Sequence, residues 1–179
     1  LDLGTNGEMA LRTNTGIYVT STAAGPAFEG GNIRWGMGSV DGAIANAKFM
    51  NGRLTVRTIG EKKPAGICGT GVIEIVAELL QAGIIDANGK LKDPYFKTGY
   101  PLAENAQGEK ICLTQADIRE IQMAKAAVRA GIEVLCMRAG VTYQQIEQVY
   151  LAGGFGYYLD VKKAAVIGIL PQELVEKTT

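Results

Sequence analysis

The chain has 179 residues, enough for one domain with a sizeable core, and its 18 basic residues balance 18 acidic ones. No basic run interleaves with aromatics and no apolar stretch is long enough to cross a bilayer, so the expectation is a cytoplasmic protein with neither nucleic-acid nor membrane partners. Histidine is absent, which removes Ser-His-Asp and Cys-His nucleophilic sites and His-ligated metals, and Cys68, Cys112 and Cys136 are too widely spaced for a zinc knuckle or an iron-sulfur cluster.

Leu1 to Glu8 reads Leu-Asp-Leu-Gly-Thr-Asn-Gly-Glu. Apolar residues on both sides of Asp2 suit the end of a strand, Gly4 and Gly7 permit backbone angles closed to other residues, and Thr5-Asn6 falls at the hairpin tip. Exposed amides and the Thr5 hydroxyl suit phosphate oxygens, with Asp2 beside them for a hydrated Mg2+. An ordinary hairpin turn fits the same run equally well. The start on Leu1, inside what reads as a strand, leads us to expect one lobe, residues 1–179, of a longer multidomain protein.

Glu8–Leu11 and Ile17–Thr20 are predicted strands joined by a polar turn at residues 12–16. Residues 21–31 are rich in small side chains, with Phe28 the only large anchor, and read as a tight surface crossing. A second hairpin is predicted from Ala43–Phe49 and Leu54–Ile59, turned at Asn51-Gly52. Gly66-Ile67-Cys68-Gly69-Thr70-Gly71 runs into a helical stripe of Val72, Ile75, Val76, Leu79 and Leu80, capped by Thr70 and stopped at Gly83. Gly69 and Gly71 serve either an anion or close helix packing. Residues 86–110 read as a long irregular excursion pinned by aromatics.

Thr114, with Asp117 near a capping box, opens the longest helix, whose apolar face is Ile118, Ile121, Val128, Ile132 and Leu135 up to Gly140. Ala124, Ala126, Ala127, Ala130 and Gly131 thin its surface for packing against a second element or a second copy of the chain. A buried strand is predicted at Gln148–Ala152. It runs into Gly153-Gly154-Phe155-Gly156, and the carboxyl end of a strand is where open α/β sheets place ligands. Asp160 caps a last predicted helix, Val161–Leu170, ended by Pro171. No Walker sequence occurs, and no Gly-x-Gly-x-x-Gly opens a helix.

The Asp-x-Gly-Thr hairpin, the further strands and helix, and the later strand ending in Ala-Gly-Gly-Phe-Gly resemble one lobe of the acetate and sugar kinase, heat-shock ATPase and actin superfamily. Five blocks in order resemble, more narrowly, the carboxyl-terminal region of reductive activators of corrinoid proteins: residues 2–8, 23–30, 66–71, 114–127, and 150–156 with Tyr158-Leu159-Asp160. The fold implied is an α/β, ribonuclease-H-like lobe, a mixed β-sheet with flanking helices.

The function implied is the nucleotide-binding lobe of an ATP-dependent activator that returns an inactive Co(II) corrinoid protein to Co(I), with the electron passed from an iron-sulfur domain outside this chain. The cofactors implied are ATP and Mg, and catalysis needs the upstream lobe. Carried over by position, Asp2 meets Mg2+ or its waters, Gly4, Thr5, Asn6 and Gly7 surround phosphate oxygens, and Gly153, Gly154 and Phe155 meet the nucleoside. Glu8, Gly69 and Thr70 are weaker candidates, the last two at a hinge between lobes. The partners implied are a corrinoid protein and a second copy in a homodimer. A kinase lobe of the same superfamily and a non-enzymatic dimerisation or binding module are the alternatives.

Overall fold

Buried and exposed residues alternate along Gly7-Glu8-Met9-Ala10 in the first layer of the computed structural model, which describes residues 1–179. β1 (Asp2–Leu3), β2 (Gly7–Thr13) and β3 (Gly16–Thr22) form an antiparallel meander in which Asp2 faces Glu8 and Ala10 faces Val19. Gly7 and Met9 turn inward, while Glu8, Ala10, Arg12, Ile17 and Val19 lie exposed on the other face. The sheet continues beyond β1 by parallel pairing. Asp2 bridges Ala152, and Val149 bridges Thr178. The Leu1 carbonyl accepts from the Ala152 N–H at 2.9 Å.

The predicted strand at 148–152 is met only in part, as a segment with isolated bridges at Val149 and Ala152, and it is not buried. Val149 and Leu151 are half-buried, whereas Tyr150 is 69% exposed, because only one face of the segment meets the core.

β4 (Ala43–Met50) and β5 (Arg53–Thr58) form the predicted hairpin, with Asn51 at φ 53° and Gly52 at φ 75° supplying its left-handed turn. β6 (Gly66–Ile67) pairs with β4 in parallel and leads into α1 (Gly69–Gln81). α1 buries Val72, Ile73, Ile75, Val76 and Leu79. Its N-cap is Cys68 and not Thr70, which lies inside the first turn in helical conformation with its hydroxyl 3.3 Å from Cys68 Sγ. Cys68 is fully buried, as the packing explanation of that thiol requires.

The excursion at 86–110 is more ordered than its composition suggests. It holds a turn of helix, α2 (Tyr95–Thr98), and most of a hairpin, β7 (Tyr100–Glu104) with β8 (Lys110–Leu113). Buried Tyr100, Ile111 and Leu113 supply the apolar face, and the Tyr95 ring sits 4.8 Å from that of Tyr100.

α3 (Gln115–Ala139) begins at Thr114 with a full capping box to Asp117 and ends at Gly140, φ 65°. The expected apolar face is buried, together with Ala124 and Gly131. A Cβ on Gly131 would lie 2.7 Å from Thr22 and 2.8 Å from Met9, so this thin stretch lets the helix settle onto β2 and β3. Ala126 and Ala130 stay exposed.

α4 (Gly153–Tyr158) and α5 (Val161–Val166) follow. α5 stops four residues short of the predicted end. Gly168 takes φ 84°, which turns Ile169 and Leu170 off the helix and into the core. Lys163 on α5 reaches Glu74 and Glu78 of α1 and donates to the Ala47 carbonyl at 3.0 Å, tying three elements together. No helix is long and apolar enough to cross a membrane.

Candidate functional site

The two glycine corners converge. Asp2 opens β1, and Gly153 follows Ala152 in the neighbouring parallel segment; a Cβ on Gly153 would lie 2.3 Å from Asp2 Oδ1. Gly153 also sits at φ 78°, so both space and backbone angle call for glycine here. Gly154 is exposed, with open space where a side chain would be.

At the hairpin, Gly4 and Gly7 differ from expectation. Neither takes a left-handed angle. They are small because neighbours crowd them: a Cβ on Gly4 would meet Glu29 Oε1 at 3.3 Å, and one on Gly7 would meet Thr22 Oγ1 at 2.9 Å. Gly7 is buried on the α3 side of the sheet. Thr5 differs as well. Its N–H and hydroxyl both donate to the Glu29 carboxylate at 3.0 Å, and its carbonyl accepts from the Gly25 N–H at 2.9 Å. The exposed Asn6 side chain makes no hydrogen bond within the chain.

Asp2 and Glu8 face each other across the β1–β2 register, which puts both carboxylates on the exposed side of the sheet. They border an open depression of about 540 Å3 shared with Ala10, Val19 and Ala152. No basic side chain pairs with Asp2, Glu8 or Glu29. No cluster of three acidic or cysteine side chains forms a metal cage. A single free carboxylate such as Asp2 nevertheless suits Mg2+, which keeps several waters and is commonly held by one or two carboxylates plus phosphate oxygens.

The glycine cluster opens a short helix, with Ala152 at its N-cap. Phe155 is half-buried, its ring stacked on Phe28 at 5.1 Å and 25°. Gly69 packs under the same residue: a Cβ there would lie 1.7 Å from the Phe28 carbonyl oxygen. Close packing is thus the structural reason for Gly69. Gly71 is equally tight, 1.9 Å from the Ile44 oxygen by the same construction.

All three glycine corners accordingly meet one short element, the 3-10 turn Pro26–Glu29 bracketed by Gly25 (φ 77°) and Gly30 (φ 83°). Phe28 supports Gly69 and Phe155, and Glu29 holds Thr5. Sequence reasoning placed a surface crossing here and missed both roles. The available signal was one aromatic and one acid side by side between two glycine-bounded bends.

Comparison with known proteins gives a consistent result. Residues 1–179 match the family described as the C-terminal domain of RACo, the ASKHA domain. The chain is similar to a corrinoid activation enzyme, RamQ, of Eubacterium limosum, at 36% identity over 96% of this chain and 32% of that protein. It is similar to the [Co(II) methylated amine-specific corrinoid protein] reductase of Methanosarcina barkeri, at 33% identity over 95% of this chain and 34% of that one. A solved reductive activator for a corrinoid, iron-sulfur protein superposes with a TM-score of 0.91 at 36% identity, covering 99% of this chain and 31% of the other. The chain spans about a third of the length of the relatives it matches.

Proposed function

The chain belongs to the family of C-terminal ASKHA domains of reductive activators of corrinoid proteins, and on that premise we propose that it is the nucleotide-binding lobe of such an activator. Its fold is the ribonuclease-H-like α/β lobe of the actin and sugar kinase superfamily. The observation that carries the proposal is the meeting of Asp2 with Gly153, which sets a free carboxylate beside a bare backbone corner at the carboxyl end of the 149–152 segment.

In this reading ATP lies across that corner. Gly4, Asn6 and the loop backbone approach the phosphates, and Gly153, Gly154 and the Phe155 backbone approach the nucleoside. Asp2 holds Mg2+ directly or through water, and Glu8, its cross-strand neighbour, orients a metal-bound water. Bound Mg2+ neutralises phosphate charge. Phosphoryl chemistry of this kind works by positioning and charge, so the lack of a histidine base is no obstacle.

ATP hydrolysis in the complete protein would drive a conformational change that alters the cobalt environment, letting one electron from an iron-sulfur domain outside this chain convert Co(II) to Co(I) in a corrinoid protein. Three free cysteines accord with a reducing cytoplasm. Exposed Ala126 and Ala130 are the positions on α3 through which a second copy would pack.

Calorimetric titration of the purified full-length protein with ATP, with and without Mg2+, tests the proposal. Binding that depends on Mg2+ and falls at least tenfold in Asp2→Ala, along with ATP turnover, is expected; a flat titration would refute it.

A further inference from the structure

Every backbone and side-chain polar atom of Thr5 is spent inside the chain. Glu29 accepts from its N–H and its hydroxyl, both at 3.0 Å, and Gly25 donates to its carbonyl at 2.9 Å. A carboxylate receiving a backbone N–H and the neighbouring hydroxyl takes the same two donors that a phosphate oxygen takes in an anion-binding loop. Glu29 makes no ion pair, and Asp2 and Glu8, the other carboxylates beside the loop, make none either. The missing side chain at Gly4 keeps the Glu29 oxygen against the loop, 3.3 Å from where a Cβ would stand. A polyphosphate arriving here meets both repulsion and an occupied pair of donors.

Resting on the nucleotide reading above, we propose that Glu29 is a specificity-determining residue of the site. Its carboxylate is an internal anion that competes with the terminal phosphates for Thr5, so that nucleotide without a divalent cation is selected against. The competition grows with phosphate number. Adenosine monophosphate, with a single phosphate, is the nucleotide least subject to it.

Glu29→Gln is the informative variant, because its amide oxygen still accepts from Thr5 while the charge is gone. Calorimetry of the purified wild-type and variant proteins with Mg-free ATP, ADP and AMP should show ATP binding about tenfold tighter in the variant, ADP less improved and AMP unchanged, with a smaller ATP gain when Mg2+ is present. Glu29→Ala, which removes the charge without adding an amide, should give the same order and serves if the first variant folds poorly. Equal or weaker ATP binding in the variants overturns the proposal, as does an equal gain for all three nucleotides, which would mean a reshaped loop. Flat titrations of wild type and variants alike, with Mg2+ present as well as without it, would overturn the nucleotide site itself, a failure distinct from that of Glu29.

Discussion

The molecule treats its carboxylates in two opposite ways. Glu74 and Glu78 of α1 are buried, 7% and 4% exposed, and share Lys163 between them, with Lys48 3.5 Å from Glu78 and the N–H groups of Ala47 and Phe49 donating to them at 3.3 and 2.8 Å. Asp2, Glu8 and Glu29 are exposed and have no basic partner. In the first cluster every charge is answered inside the chain, so the cluster holds α1, β4 and α5 in place. In the second no basic side chain answers the charge, as the proposed Mg-nucleotide site would require.

The titration behaviour of the first cluster follows from this. Burial alone would push the Glu78 carboxyl up, but the Phe49 N–H and the Lys163 and Lys48 ammonium groups outweigh it and hold the group below its ordinary range. Burial likewise works against the Lys163 ammonium, and its bonds to Glu74 and Glu78 outweigh that, leaving it above its ordinary value.

The comparison is broken most severely by Lys163→Met. It leaves buried Glu74 without an ionic partner and Glu78 with Lys48 alone, and should cost about 3–5 kcal/mol in denaturant unfolding. A loss below about 1 kcal/mol would show that the cluster is not the brace described. Gly71→Ala is expected to come next, at about 1–3 kcal/mol, because the new methyl meets the Ile44 carbonyl backbone and not a flexible side chain.

On the other side of the comparison, Asp2→Asn should change stability by no more than about 0.5 kcal/mol while weakening Mg-ATP binding. Thermal unfolding and calorimetry on the same preparation separate the two effects. The smallest effect expected is the acid response of the paired cluster. With its folded value depressed, Glu78 contributes stability above the ordinary carboxylate range, and this is lost as pH falls through the lowered value. Lys163→Met should flatten that part of the pH–stability curve, and an unaltered acid limb would place the loss elsewhere.

Sequence legibility followed the range of the interactions. α3 was readable end to end, since Thr114, Asp117 and Gly140 act within one turn of the helix they bound. The β4–β5 hairpin was readable from Asn51-Gly52 for the same reason. Gly168 ended α5 early because Ile169 and Leu170 are wanted in the core, a demand that local periodicity does not express. In the excursion at 86–110, prolines, glycines and charged residues masked the apolar alternation of β7 and β8.

The site divides in the same manner. Asp2 was found because it stands between apolar residues beside a glycine turn, and Gly153 because it follows an apolar run. Glu29 acts across 24 residues on Thr5, and the local pattern, an aromatic beside an acid between two glycine-bounded bends, marks the turn without naming that distant partner. Gly4 and Gly7 were noticed for backbone freedom, whereas the structure sets them against Glu29 and Thr22; of the two uses read for Gly69, an anion or close packing, the structure shows close packing, against the Phe28 carbonyl.

The central claim is that the Asp2–Gly7 hairpin and the Gly153–Gly156 corner form one nucleotide site. Amide hydrogen exchange of the purified protein with and without Mg-ATP tests it most directly. The account predicts that slowed exchange appears together at residues 4–7 and 153–156; protection at neither segment, or at only one of them, would contradict it.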